Sequence, residues 1–274
     1  MFINVAQNVV WEISSPQIMG IINITQDSFY EKSRQINLDG FLLKATQMIQ
    51  EGADIIDIGA QSTRPGAEMI DIDTELNQLL PYITAFKNAY PNQLISVDTF
   101  NPMVAEEVLK AGAHIINDIS GANFDQDILK VISKYQAGYI GMHINGSFST
   151  MHEVQQRKDI IDSILEYIQE KKKLLASFGI NKWVMDPGFG FGKTMQENFD
   201  IIKRLKELKV LDLPILLGVS RKSSIYKTLG IKADEALNGT TVLHTLGLLN
   251  GASILRVHDV KEAKEIVRLL PYIQ

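Results

Sequence analysis

Eight short apolar runs, each followed by a longer stretch with helical periodicity, constrain this chain more than any other feature. They cover residues 17–22, 54–58, 94–98, 114–117, 138–142, 182–186, 214–218 and 253–257. Each is mostly continuous rather than alternating, the pattern of parallel strands buried on both faces. Between them, residues 39–51 place Phe41, Leu42, Ala45, Met48 and Ile49 on one helical face and stop at Gly52. Residues 102–111 follow Asn101, an N-cap type, carry proline at the first helical position and stop at Gly112. Residues 159–178 and 198–209 show similar apolar spacing. Eight strands with helical crossovers predict an α/β (β/α)8 TIM barrel, with an open doubly wound sheet as the architectural rival. Residues 2–13 are expected to form a short N-terminal β-hairpin closing the bottom of the barrel. Neither a low-complexity linker nor a strong internal repeat interrupts the chain, so residues 1–274 read as a single domain.

Composition narrows the function classes. The chain has no cysteine, which excludes disulfides, thiolate metal sites and cysteine nucleophiles. A net charge of -5 argues against a nucleic-acid partner, which calls for a basic face. No apolar run approaches the roughly 18 residues that would suggest a membrane span. The first residues lack the basic segment and small-residue cleavage site of a secretion signal, so a cytoplasmic protein without a membrane partner is expected.

Polar residues gather where the strands end. The first run leads to Asn23, Asp27 and Ser28, and the second to Gln61, Ser62, Thr63 and Arg64. Asp98 ends the third, Asn117 and Asp118 follow the fourth, and Asp186 ends the sixth. Ser220, Arg221 and Lys222 follow the seventh, and Arg256, His258 and Asp259 close the eighth. In a barrel these positions converge on the mouth, where active sites are built. Any one of them alone reads as a helix cap or turn residue; six or more strands ending this way do not. Carboxylates at Asp98 and Asp186 with the amide of Asn117 suit the edge of a nitrogen-rich heterocycle. Arg64, Lys222, Arg256 and His258 suit an anion such as a phosphate. The structural alternative for the two aspartates is a pair of buried salt bridges with Lys222 and Arg256.

Three apparent motifs carry no such chemistry. Gly188-Phe-Gly-Phe-Gly-Lys-Thr194 resembles a phosphate loop, but that motif's first glycine would fall at Pro187; it reads as a tight loop allowing close backbone approach. The histidines at 114, 143, 152, 244 and 258 lack zinc spacing, and His114 and His244 read as packed or exposed rather than catalytic. Ser220 lacks the G-x-S-x-G elbow of a serine hydrolase.

Seven segments together resemble the dihydropteroate synthase family. They are Met19-Gly-Ile-Ile-Asn-Ile-Thr-Gln-Asp-Ser-Phe29, Asp57-Ile-Gly-Ala-Gln-Ser-Thr-Arg-Pro-Gly66, Ser96-Val-Asp-Thr99 and Ile116-Asn-Asp-Ile-Ser-Gly121. Met185-Asp-Pro-Gly-Phe-Gly-Phe-Gly-Lys193, Gly218-Val-Ser-Arg-Lys-Ser223 and Ile254-Leu-Arg-Val-His-Asp-Val260 complete the set, in family order and over nearly the whole chain. The resemblance implies condensation of a pterin pyrophosphate with p-aminobenzoate to give dihydropteroate, by a dissociative route. It implies catalytic roles for Asp98, Lys222, Arg256 and His258, with Asp98, Asn117, Asp186 and Lys222 gripping the pterin. It places the pyrophosphate on Asn23, Arg256 and His258, with Asn23 also a Mg2+ ligand. It assigns Phe29, Thr63, Arg64, Pro65, Lys222 and Ser223 to the p-aminobenzoate pocket and its loops. A homodimer and sensitivity to sulfonamides are also implied, since no insertion follows Lys222.

The chain departs from the family pattern at several points. Gln26 stands where proline is usual, Glu31 where a second aspartate is common, and Gln61 where glutamate is usual. Residues 32–34 lack a glycine pair, and the segment from Met142 to Phe148 lacks a proline. Gln26 removes a fixed φ from the first loop, which bears on loop geometry rather than on reaction type. Two rivals are a pterin-binding methyltransferase barrel served by a corrinoid partner and a degenerate, non-enzyme barrel that binds pterins or regulates a partner. The Ser-Thr-Arg-Pro loop with Arg256 and His258 favours the synthase over the first. Intact residues at every pterin and anion position argue against the second.

Overall fold

The computed structural model describes residues 1–24 and 37–273, and the counts that follow are of those residues. In chain order they form β1 (Phe2–Val5), β2 (Val9–Glu12), β3 (Gln17–Asn23), α1 (Leu38–Glu51), β4 (Ile55–Gly59), α2 (Ile72–Ala89), β5 (Leu94–Asp98), α3 (Pro102–Lys110), β6 (Ile115–Asp118) and α4 (Asp127–Tyr135). There follow β7 (Gly138–Met142), α5 (Ile160–Ser177), β8 (Val184–Asp186), α6 (Met195–Arg204), β9 (Leu216–Leu217), α7 (Ser223–Leu229), α8 (Leu237–Leu249), β10 (Ile254–Val257) and α9 (Val260–Leu269). Strands β3 to β10 form one parallel sheet in the order β8-β7-β6-β5-β4-β3-β10-β9. A bridge between Met185 and Ile215 joins its two edges, and the Met185 N–H donates to the Pro214 carbonyl at 3.0 Å. The sheet is thereby a barrel, not the open doubly wound alternative.

Each expected strand is present, shifted by at most two residues at either end. The expected helices 39–51, 102–111 and 159–178 appear as α1, α3 and α5, with the Asn37, Asn101 and Asp159 side chains capping their N-termini. The expected helix 198–209 differs. A capping box between Thr194 and Glu197 starts α6 at Met195, and after Arg204 the chain tightens into a 3-10 turn, Leu205–Leu211.

Alternation along the strands divides their side chains between two cores. Met19, Ile55, Ile115, Ile140, Val184, Leu216 and Ile254 point into the barrel, where they meet Ile3, Val5, Trp11 and Ile13 of the N-terminal hairpin. The antiparallel hairpin β1–β2 therefore seals the bottom with a buried tryptophan. Outward-facing Ile18, Ile56, Val97, Ile116, Leu217 and Leu255 pack under the helices in the larger core. Above the plug, the inward row becomes polar.

Candidate active site

Two residues beyond the apolar layer, and four on β5, the same inward row presents Asp57, Asp98, Asn117, Asp186 and Arg256. Pairing places Asp98 beside Asn117 on the neighbouring strand, and Gly59 beside Asp98. Asp57, Asp98, Asn117 and Asp186 are all buried. Arg256 spans this floor: its Nε donates to Asp57 Oδ2 at 2.7 Å and its Nη2 to Asp98 Oδ2 at 2.7 Å. The Asn117 amide donates to the same Asp57 oxygen at 3.2 Å. Of the two salt bridges that sequence allowed, the one between Asp98 and Arg256 exists. Asp186 instead accepts the Gly188 N–H at 2.7 Å, and Lys222 donates to the Phe189 carbonyl.

Burial sets the electrostatics. It pushes the Asp98 carboxyl up to about 7 against the opposing pull of Arg256. It also raises Asp186, with Lys222 as the main opposing charge, and lowers Lys222 to about 8 against the pull of Asp186. Burial works against the Arg256 charge too, but Asp57 and Asp98 outweigh it, and the guanidinium stays cationic. Removing one partner of such a buried pair leaves an uncompensated charge, a loss of about 3–5 kcal/mol. The floor thus brings carboxylates, an amide and two cations together in one patch.

The remaining expected residues divide by position. Asn23 ends β3 with its side chain exposed, and its Oδ1 lies 3.6 Å from where a Gly59 Cβ would stand, in the same place as the Asp98 side chain. His258 is exposed at the rim; Ser220 Oγ accepts its backbone N–H at 3.2 Å and lies 3.0 Å from Nδ1. Crowding by surrounding protein and then the Arg256 charge lower the His258 pKa. Thr63, Arg64 and Pro65 sit in the β4–α2 loop, the last two exposed, and Ser223 opens α7 next to Lys222. Phe29, with Gln26, Asp27, Ser28 and Glu31, lies outside the described residues.

Two polar residues flagged at strand ends do other work. Asp118 faces outward, fully buried, and accepts from the Ser120 and Ala122 N–H groups and the Tyr139 hydroxyl, fixing the loop after β6. Arg221 pairs through Nε and Nη2 with both oxygens of Asp259, each at 2.8 Å, tying the loop after β9 to the one after β10. Gln61 also acquires a reason. Its amide donates to the Ser62 and Glu68 carbonyls and accepts the Ile70 N–H, donations that an ionised glutamate could not make. His114 and His244 are both buried, and the His114 Nδ1 accepts the Ile95 N–H at 3.1 Å.

The residue that sequence reasoning passed over is Asp57. It stands within a strand rather than at its end, so a search of strand ends missed it. The period-two row starting at Ile55 was the available signal, because it carries Asp57 to the inside.

The glycine-rich run builds the wall beside Asp186. Gly188, Gly190 and Gly192 all have positive φ, and a Cβ at Gly188 would stand 2.1 Å from the His143 carbonyl oxygen. Lys193, buried, donates to the Gly188 carbonyl at 2.8 Å and to that of Phe191 at 3.1 Å. The run is a ligand wall held from behind, not a phosphate loop.

A parallel barrel whose mouth joins buried carboxylates, an amide and two cations defines an enzyme built for a flat, nitrogen-rich heterocycle with an anionic substituent. Residues 19–258 match the family model described as pterin binding enzyme. The dihydropteroate synthase of Escherichia coli K12 is 37% identical over 97% of this chain and 94% of its own length. Among solved structures, that of the Clostridium difficile dihydropteroate synthase in the presence of pteroic acid is 40% identical, with a TM-score of 0.88 over 95% of this chain and 97% of that one. The Yersinia pestis enzyme, solved with a sulfonamide drug complex, is 34% identical, with a TM-score of 0.93 over 100% of this chain and 99% of that one. The chain belongs to the dihydropteroate synthase family, transferases of folate synthesis.

Proposed function

We propose that this enzyme joins 6-hydroxymethyl-7,8-dihydropterin pyrophosphate to p-aminobenzoate by a dissociative route, with the roles below. The observation that carries the reading is the convergence of Asp98, Asn117, Asp186 and Lys222 on one buried floor, in a chain of this family. Asp98 and Asp186 accept from the pterin's ring and amino N–H groups, Asn117 donates and accepts, and the Lys222 ammonium meets a ring acceptor. Arg256 and His258 hold the pyrophosphate at the mouth. The bond from the pterin methylene carbon to the pyrophosphate oxygen breaks, and its electron pair leaves with pyrophosphate. The aniline nitrogen of p-aminobenzoate then bonds to the cationic carbon and loses a proton. Negative charge grows on the leaving group, so fixed positive groups stabilise the transition state more than the ground state.

Among the described residues no cluster of three or more histidines or carboxylates could hold a metal ion. Magnesium keeps several waters and binds through one or two protein oxygens plus substrate phosphates. The Asn23 amide oxygen, exposed beside the Asp98 side chain, would serve as such a ligand. Bound Mg2+ would supply charge neutralisation on the departing pyrophosphate.

Thr63, Arg64, Pro65 and Ser223, with Lys222, form the p-aminobenzoate pocket, to which the family resemblance also assigns Phe29, outside the described residues. The Yersinia relative's structure with a sulfonamide drug complex supports a sulfonamide-binding site in this family. Exposed Val242, Leu246 and Leu249, spaced along one side of α8, support a homodimer. The family match over 19–258 supports reading 1–274 as one domain. Among the described residues no helix is long and apolar enough to cross a membrane. We assign the enzyme to the cytoplasm on its biosynthetic role, with no nucleic-acid or membrane partner. Incubation with pterin pyrophosphate, p-aminobenzoate and Mg2+ tests the reading. Dihydropteroate and pyrophosphate should appear in equal amounts, and no product would overturn it.

A further inference from the structure

One side chain between the two substrate loops has no role in the reading above. His152 lies between β7 and α5, partly buried, and its Nε2 is 2.8 Å from the Thr63 carbonyl oxygen, 89 residues away in sequence. A carbonyl only accepts, so Nε2 carries the hydrogen. The other side of the ring system is engaged as well. His152 stacks on Phe191 with centroids 5.4 Å apart and planes at 19°. The Lys222 ammonium lies 4.6 Å from the centre of that same Phe191 ring. The backbone around His152 is seated just as firmly. A Cβ at Gly192 would stand 3.1 Å from the carbonyl oxygens of both Met151 and Glu153, and the Met151 side chain is buried beside Met142 and Ile144.

From this geometry we propose that His152 is a positioning residue that clamps the Thr63–Arg64–Pro65 loop to the glycine-rich wall of the pterin pocket. The clamp fixes where p-aminobenzoate sits relative to the pterin methylene. It acts through Thr63 on one substrate's loop and through Phe191, beneath Lys222, on the other's wall. The inference rests on the reading that the Thr63–Arg64–Pro65 loop lines the p-aminobenzoate site.

Three variants separate its two contacts. His152→Phe keeps the stacking ring and loses the donor, His152→Gln keeps a donor and loses the ring, and His152→Ala loses both. With pterin pyrophosphate saturating, losing the hydrogen bond should raise the KM for p-aminobenzoate by roughly three- to tenfold in His152→Phe and at least as much in His152→Ala. His152→Gln should recover most of that loss, while the Kd of the pterin substrate stays within about twofold throughout. Two results overturn the proposal: an unchanged KM for p-aminobenzoate in His152→Ala, or a parallel loss for both substrates with a lowered Tm and no rescue by glutamine. Arg64→Ala, measured alongside, separates the two readings. If it leaves the p-aminobenzoate KM unchanged, the pocket assignment fails and takes the clamp with it. If it raises that KM while the His152 variants do not, the clamp alone is wrong.

Discussion

Glu75→Gln should stabilise this enzyme increasingly as pH rises from about 4.5 to about 7. Glu75 sits in the first turn of α2, 4% exposed, and one of its carboxyl oxygens, Oε1, has no hydrogen-bond partner. Burial raises its pKa from 4.5 to about 7, with a hydrogen bond to Thr99 opposing the rise. Each factor of ten in proton affinity is about 1.4 kcal/mol, so the raised pKa is worth about 3 kcal/mol. The folded protein holds the proton more tightly than the unfolded chain. The stability this confers is fully present below pH 4.5 and is lost as pH rises through about 7. Above that pH the wild type carries a buried, poorly solvated carboxylate, whereas glutamine has the same shape and no charge. The variant should therefore match the wild type near pH 4, gain steadily between pH 4.5 and 7, and exceed the wild type by up to about 3 kcal/mol above that, several degrees in Tm. Urea denaturation at pH 5, 6, 7 and 8 measures the difference directly. A gain that does not grow with pH, or a loss at pH 8, would refute the reasoning. A second readout follows from position: the Glu75 charge is one of those raising Asp98, so the acid limb of pterin binding should move to lower pH.

Three further outcomes are expected. Asp186→Asn should keep the barrel folded, because the amide oxygen can still accept the Gly188 N–H. It should weaken pterin binding by roughly ten- to a hundredfold in calorimetry, since the other carboxylate oxygen becomes a donor facing ring N–H groups. Gly188→Ala combines positive φ with a Cβ 2.1 Å from a backbone oxygen, so it should lower the Tm and abolish pterin binding; wild-type affinity in the variant would contradict the close approach. Sulfonamides should inhibit competitively against p-aminobenzoate in steady-state kinetics, and failure to compete would mean that the pocket near Lys222 is built differently.

The sequence by itself determined a helix-covered parallel sheet of eight strands and the chemical inventory of their ends, while the bridge between Met185 and Ile215 decided for a closed barrel over an open sheet. Continuous apolar runs bury both faces only in a parallel sheet covered by helices, and the caps at Asn101 and Asp159 fix where helices begin. Motifs in family order carried the enzyme class. What only the tertiary structure decided was direction and partnership. Adjacent Asn117 and Asp118 look alike as strand-end polar residues, yet the pleat sends one into the site and the other outward to hold a loop. Asp57 entered the site for the same reason, from the middle of a strand. Arg256 meets Asp57 and Asp98 across 199 and 158 residues of sequence, and His152 meets Thr63 across 89. Contacts of that range exist only once the barrel closes, because closure is what brings the ends of distant strands and their loops into hydrogen-bond reach.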